Sequence, residues 1–160
     1  MATAMVRAEV RVEAPAQVVW DYVTDWPRQG EWIPFTRVEV VGGGAARGVG
    51  GRIRAWTGIG PVGFWDPMTV TSWEEEADGS ARCEVLHRGA VVRGDGEFAV
   101  SPRGTDACMF VWWERLTLPL GPFGALLWRL GGWTMQRGVA EALRRLARRA
   151  EWLAGGGSSG

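Results

Sequence analysis

The amino-acid sequence predicts an α+β domain: one strand, two short helices, a further six antiparallel strands and a long C-terminal helix. Three observations predict it. Apolar and polar residues alternate over Val6–Val12 and again through the middle of the chain, the period-two signature of half-buried strands. Polar and glycine-rich turns separate those central runs at hairpin spacing. Beyond Pro119 and Pro122 the apolar residues recur every three or four positions instead, as on one face of a helix.

In the first strand Val6, Ala8, Val10 and Val12 share one face, opposite Arg7, Glu9, Arg11 and Glu13. Ala14-Pro15 then opens an amphipathic helix carrying Val19, Tyr22, Val23 and Trp26, which ends before Pro27. A further short helical turn is expected over 31–35, followed by the strand TRVEVV. The segment GGGAARGVGG at 42–51 lacks the GK[ST] of a phosphate loop and reads as a glycine-rich hairpin connection. The runs GRIRAWTG, FWDPMTVTSW, ARCEVLHRG, VVRGDGEFAV and ACMFVWWERLTL complete the meander. In the last helix Trp128, Gly132, Met135, Val139, Leu143, Leu146, Ala150 and Leu153 form the apolar stripe, and Gly131-Gly132 predicts a bend near its start. Arg137, Glu141, Arg144, Arg145, Arg148 and Arg149 read as its solvated face.

Composition narrows the function. The 160 residues suit one domain, placed at 1–153, with the AGGGSSG end (154–160) read as a flexible linker or tag remnant. Eighteen basic and 18 acidic side chains cancel, which argues against nucleic acid as a partner. Every basic residue is Arg, so lysine nucleophiles and Schiff bases are excluded. One histidine and two cysteines without a CxxC argue against a zinc site, and neither metal nor cofactor is expected. Cys83 and Cys108 fall about two strand spacings apart, beyond the roughly 7 Å reach of a disulfide. No run approaches the roughly 20 apolar residues of a membrane span and no export signal is visible, so membrane insertion is not expected and a cytoplasmic location is. Eleven tryptophans exceed what such a core needs, so part of that surface is expected to face a ligand or partner.

The element order, with VRVEAPAQVVWDYVTDWPRQGEWIPF near the start and WERLTLPLGPFG before the last helix, resembles the START-like (SRPBCC, Bet v 1-like) superfamily. The resemblance covers residues 5 to 152 and is nearest its polyketide cyclase/dehydrase-like branch. It implies a helix-grip fold, in which a curved seven-stranded antiparallel sheet wraps around the C-terminal helix and encloses a cavity for apolar or aromatic ligands. It carries over no catalytic residue, because the superfamily mixes carriers and enzymes.

Strand parity selects the side chains facing that cavity. Ile53, Ala55 and Thr57 point inward because the opposite face holds Arg52 and Arg54, which are costly to bury. Phe64, Asp66, Met68 and Val70 form the next inward set, followed by Cys83, Val85 and His87, then Val92, Gly94, Gly96 and Phe98. On the last strand both faces are largely apolar and alternation leaves the choice open; Cys108, Phe110, Trp112, Glu114 and Leu116 are read as inward because the opposite set holds Arg115 and Thr117. Expected ligand contacts are Phe64, Met68, Val85, Phe98, Phe110, Trp112, Trp128, Met135 and Val139, with Trp133 a further wall candidate. Three ionisable groups, Asp66, His87 and Glu114, then share the concave side. Asp66 and His87 lie on neighbouring strands, within hydrogen-bonding reach, while Glu114 faces them from two strands away.

The primary functional expectation is a carrier for a small apolar or aromatic molecule, polyketide- or lipid-like, with His87 only shaping the pocket. The alternative is a cofactor-independent cyclase or dehydratase, natural or engineered, using His87 with Asp66 or Glu114 as acid and base. No GxSxG motif supports a serine hydrolase. Trp56, Trp65 and Trp113 fall on the outer face, which points either to a homodimer that covers them or to a different register in one of these strands.

Overall fold

The computed structural model describes residues 2–118 and 121–157, without the side chains of Ala2, Leu118 and Leu127. Pro119 and the last three residues of the expected 154–160 linker lie outside the described residues. Strand β1 (Ala2–Val12) leads into helix α1 (Ala16–Val23) and a 3-10 helix (Trp26–Glu31). Six strands follow: β2 (Thr36–Val40), β3 (Arg52–Ile59), β4 (Val62–Glu75), β5 (Ala81–Arg88), β6 (Arg93–Pro102) and β7 (Cys108–Leu118). Helix α2 (Gly121–Ala154) ends the fold and runs as one helix through Gly131 and Gly132.

The seven strands form one antiparallel sheet in the order β1-β7-β6-β5-β4-β3-β2. The last strand returns to pair with the first, so β1 and β2 are the edges although they are separated only by α1 and the 3-10 helix. The latter begins at Trp26, five residues before the expected turn at 31–35, because Pro27 suits a first helical turn, where its missing N–H is not needed. The Gln29 side-chain amide donates to Val23 O at 3.0 Å and Tyr22 Oη donates to Glu31 at 2.9 Å, fastening this segment to α1.

The stripe of α2 is buried from Val139 to Ala150 against the concave face, with Ala142, Leu143, Leu146 and Ala147 between them. Ahead of that stretch Phe123, Leu126, Leu130 and Trp133 are exposed. Trp32 is fully buried, with ring centres 5.8 Å from Phe98, 6.2 Å from Phe110 and 5.8 Å from Trp112. Among the described residues no helix is long and apolar enough to cross a membrane.

A bulge between Val70 and Ser72 changes the parity of β4. Thr71 is the extra residue, so Trp73 rather than Ser72 pairs with inward-facing Cys83 and packs 5.1 Å from Trp20. The outward tryptophans are covered within the chain. Trp56 and Trp65 pair across β3 and β4, with the Arg54 guanidinium 4.3 Å and that of Arg37 5.3 Å from the Trp65 ring centre. Trp113 Nε1 donates to Glu97 at 3.0 Å. These three rings therefore give no argument for a second copy. Cys83 and Cys108 are both free and buried.

Candidate active site

The sheet and α2 enclose a cavity of about 760 Å³. Its inner wall follows strand parity: Phe64, Asp66 and Met68 from β4, Val85 and His87 from β5, Phe98 from β6, and Trp112 and Glu114 from β7. Met135 and Val139 of α2 form the facing wall. Of the other expected contacts, Phe110 is fully buried in the aromatic layer behind the wall, and Trp128 packs over Gly132 outside the lining. Trp133 is 55% exposed, with its ring N–H donating to Leu130 O. The segment after α1, which alternation could not reach, contributes Gln29, Ile33 and Phe35 to the lining, and Thr36 joins them from the start of β2.

Asp66 on β4, His87 on β5 and Glu114 on β7 form a line that crosses β6 between the last two. Cross-strand register pairs Met68 with His87, placing Asp66 diagonally beside the ring. His87 Nδ1 donates to Asp66 Oδ2 at 2.7 Å, leaving Nε2 as the free face of the imidazole. That atom is buried, has no hydrogen-bond partner among the described residues and lies 3.9 Å from Glu114 Oε1, which accepts from Trp112 Nε1 at 3.0 Å. Two strand spacings imply a wider separation, and Gly96 explains the approach. A Cβ at Gly96 would sit 3.2 Å from Glu114 Cγ and 3.4 Å from His87 Nε2, a tight fit, so the absence of a side chain on β6 there eases the approach of the two groups. The inward glycine thus serves the polar line rather than simply widening the cavity.

Burial sets the protonation chemistry. On its own it disfavours the imidazolium of His87, but the hydrogen bond to Asp66 and the charges of Glu114 and Asp66 outweigh it, and the net shift is upward. Burial also raises Glu114, against the opposing pull of His87 and the Trp112 N–H. Proton affinity is therefore raised at both ends of a 3.9 Å gap. Burial pushes the Cys83 thiol, also in the lining, up to about 12, so it is not a thiolate nucleophile.

These shifts have a testable sign. Both groups hold protons more tightly when folded, so their contribution to stability is complete below the unfolded values of 4.5 for Glu114 and 6.5 for His87. It declines as pH rises through the raised values. Glu114→Gln removes one of these protons and weakens the hold on the other. The Tm of this variant relative to wild type is expected to rise steadily from acid to mildly alkaline pH, as read by thermal melts; a difference independent of pH would contradict the assignment.

The outer part of the cavity departs from expectation. Arg137, Glu141, Arg144 and Arg145, read from the sequence as a solvated helix face, border the cavity beside Thr134 and Gly138. Helical periodicity identified the buried stripe, but the curved sheet leaves the cavity open along the next row of α2.

Comparison with known proteins agrees with this architecture. Residues 3–151 match the family described as polyketide cyclase / dehydrase and lipid transport. The chain belongs to that family, within the START-like helix-grip superfamily. The Zhui aromatase/cyclase of Streptomyces is similar in structure, at TM-score 0.72 and 18% identity, with 98% of this chain and 100% of that one covered. TTHA0849 of Thermus thermophilus matches at TM-score 0.72 and 23% identity, covering 96% and 100%. Norcoclaurine synthase of Thalictrum flavum, solved with dopamine and hydroxybenzaldehyde, matches at TM-score 0.61 and 16% identity, covering 99% and 90%. No curated protein sequence matches the chain.

Proposed function

We propose that this protein is a cofactor-independent cyclase/dehydratase acting on a polyketide-like or aromatic substrate held in the cavity. The observation carrying this reading is the arrangement around His87: one ring nitrogen tied to a carboxylate, the other unpartnered and aimed at a second, separately held carboxyl group. A pocket-shaping histidine in a carrier has no need of that second group. The family's description names cyclase and dehydrase activity beside lipid transport, so this reaction class lies within it and the His87 geometry makes the choice.

The chemistry follows from one proton with two places to sit. With His87 neutral and Glu114 protonated, Nε2 removes a proton from a methylene flanked by carbonyls, and Asp66 stabilises the imidazolium. The carbanion attacks a carbonyl carbon of the same molecule, forming the ring C–C bond, while Glu114 delivers its proton to that carbonyl oxygen. The site now holds imidazolium and carboxylate. Glu114 then removes the α-proton, the imidazolium protonates the departing hydroxyl, and the C–O bond breaks to release water. Both groups return to their starting states, and one water is lost overall. The apolar wall keeps solvent from the carbanion.

The test is incubation with a linear poly-β-ketone ester, followed by mass spectrometry of the products. Wild type should yield a cyclised product lighter by one water faster than the uncatalysed background, and Glu114→Gln should lose this acceleration. Tight binding of the ester with no acceleration by wild type would overturn the enzyme reading in favour of a carrier.

A further inference from the structure

The catalytic line leaves the outer cavity unexplained. Here three guanidinium groups, Arg137, Arg144 and Arg145, border the opening and Glu141 is the carboxylate between them, an excess of two positive charges. Glu141 is already shared: Arg144 Nε donates to it at 3.0 Å, Arg145 Nε at 3.1 Å, and Arg148 Nη2 lies 3.8 Å away. Arg137 stacks 4.8 Å from the centre of the Trp133 ring and has no carboxylate partner among the described residues. The other carboxylates of the lining are engaged elsewhere, Asp66 and Glu114 around His87 and Glu97 with Trp113. The arginines are exposed whereas the His87 side chain is only 4% exposed, so the cationic groups mark the outer end of the space and the acid/base line its inner end.

We infer that the Arg137–Arg145 rim is a binding subsite for an anionic group at the outer end of the ligand, making the preferred substrate an amphiphile with an aromatic or apolar body and a terminal carboxylate or phosphate. Guanidinium groups match both oxyanions geometrically. They also sit where a ligand's charge stays partly hydrated while its body enters the apolar middle, so the anion need not be desolvated inside the cavity. A cationic rim raises the local concentration of such a ligand and loses strength as salt screens it. This inference rests on the reading of the cavity as a substrate site, and deepens it by naming the substrate class.

Two fluorescent probes separate the terms: 1-anilinonaphthalene-8-sulfonate, which is anionic, and N-phenyl-1-naphthylamine, which has the same aromatic body without the charge. In the double variant Arg137→Gln/Arg145→Gln, binding of the sulfonate should weaken about five- to tenfold, as two partly exposed charge contacts imply. Binding of the neutral probe should be unchanged, and raised salt should remove the difference between variant and wild type. Equal loss for both probes, or no loss for either, would overturn the inference. Failure of wild type to bind the neutral probe would instead overturn the apolar cavity reading. Competition against the sulfonate with 1-naphthyl phosphate and 1-naphthaleneacetate then identifies the favoured oxyanion; displacement by neither counts against the subsite.

Discussion

His87→Gln is expected to lower kcat for cyclisation of a poly-β-ketone ester about a thousandfold, within the range a positioned acid/base group supplies. Gln retains a neutral polar partner for Asp66, which would otherwise be a buried carboxylate with nothing opposite it, but it cannot carry the transferred proton. Binding of a neutral aromatic probe should therefore survive. Asp66→Asn completes the test. Asp66 is among the groups that raise the His87 pKa, so its charge-neutral replacement should shift the limb of the pH–rate profile governed by His87 toward acid. Unchanged kcat in His87→Gln would remove His87 from the mechanism.

Trp32→Ala is expected to cost about 3–5 kcal/mol of stability, read from denaturant melts, since it empties a fully buried site in a close-packed core. Trp32 touches three aromatic rings, two of which, Phe98 and Trp112, also line the cavity. Its loss should loosen Trp112 and, through the Trp112 hydrogen bond, the position of Glu114. Trp32→Phe should be much milder, because it keeps an aromatic ring and removes an indole N–H that is buried without a partner among the described residues. Equal destabilisation by Ala and Phe would show that the shape of the indole, rather than the filled volume, is what this layer requires.

Inward-facing residues were legible because side chains alternate in a strand, and on β3 to β6 a charged or proline-bearing face was enough to choose the parity; on β7, with Glu114 on one face and Arg115 on the other, the structure made the choice. Alternation turned Asp66 and His87 to the same side, and meander order made them neighbours. The parity change at Thr71 was not legible, because a bulge inserts one residue without a distinctive residue type. Nor was Phe110 separable from Trp112, since both face inward and only the packing of Trp32 decides which ring is behind the wall. The segment over 27–35 has no period to read, so Gln29 and Phe35 entered the lining unannounced.

By itself the sequence determined the element order, the antiparallel meander, an apolar stripe on α2 read from Trp128 to Leu153, of which Val139 to Ala150 is the buried part, and the side of the sheet on which Asp66 and His87 lie, all of which depend on local periodicity. Tertiary structure decided the distances across strands and the placement of the helix against them. Gly96 shows the difference: alternation turns it inward, but only the register of β5, β6 and β7 brings His87 and Glu114 together through the gap it leaves. The arginines of α2 show it again. Helical period separates a charged row from an apolar one, but the curvature of the sheet determines whether that charged row meets bulk water or the opening of the cavity.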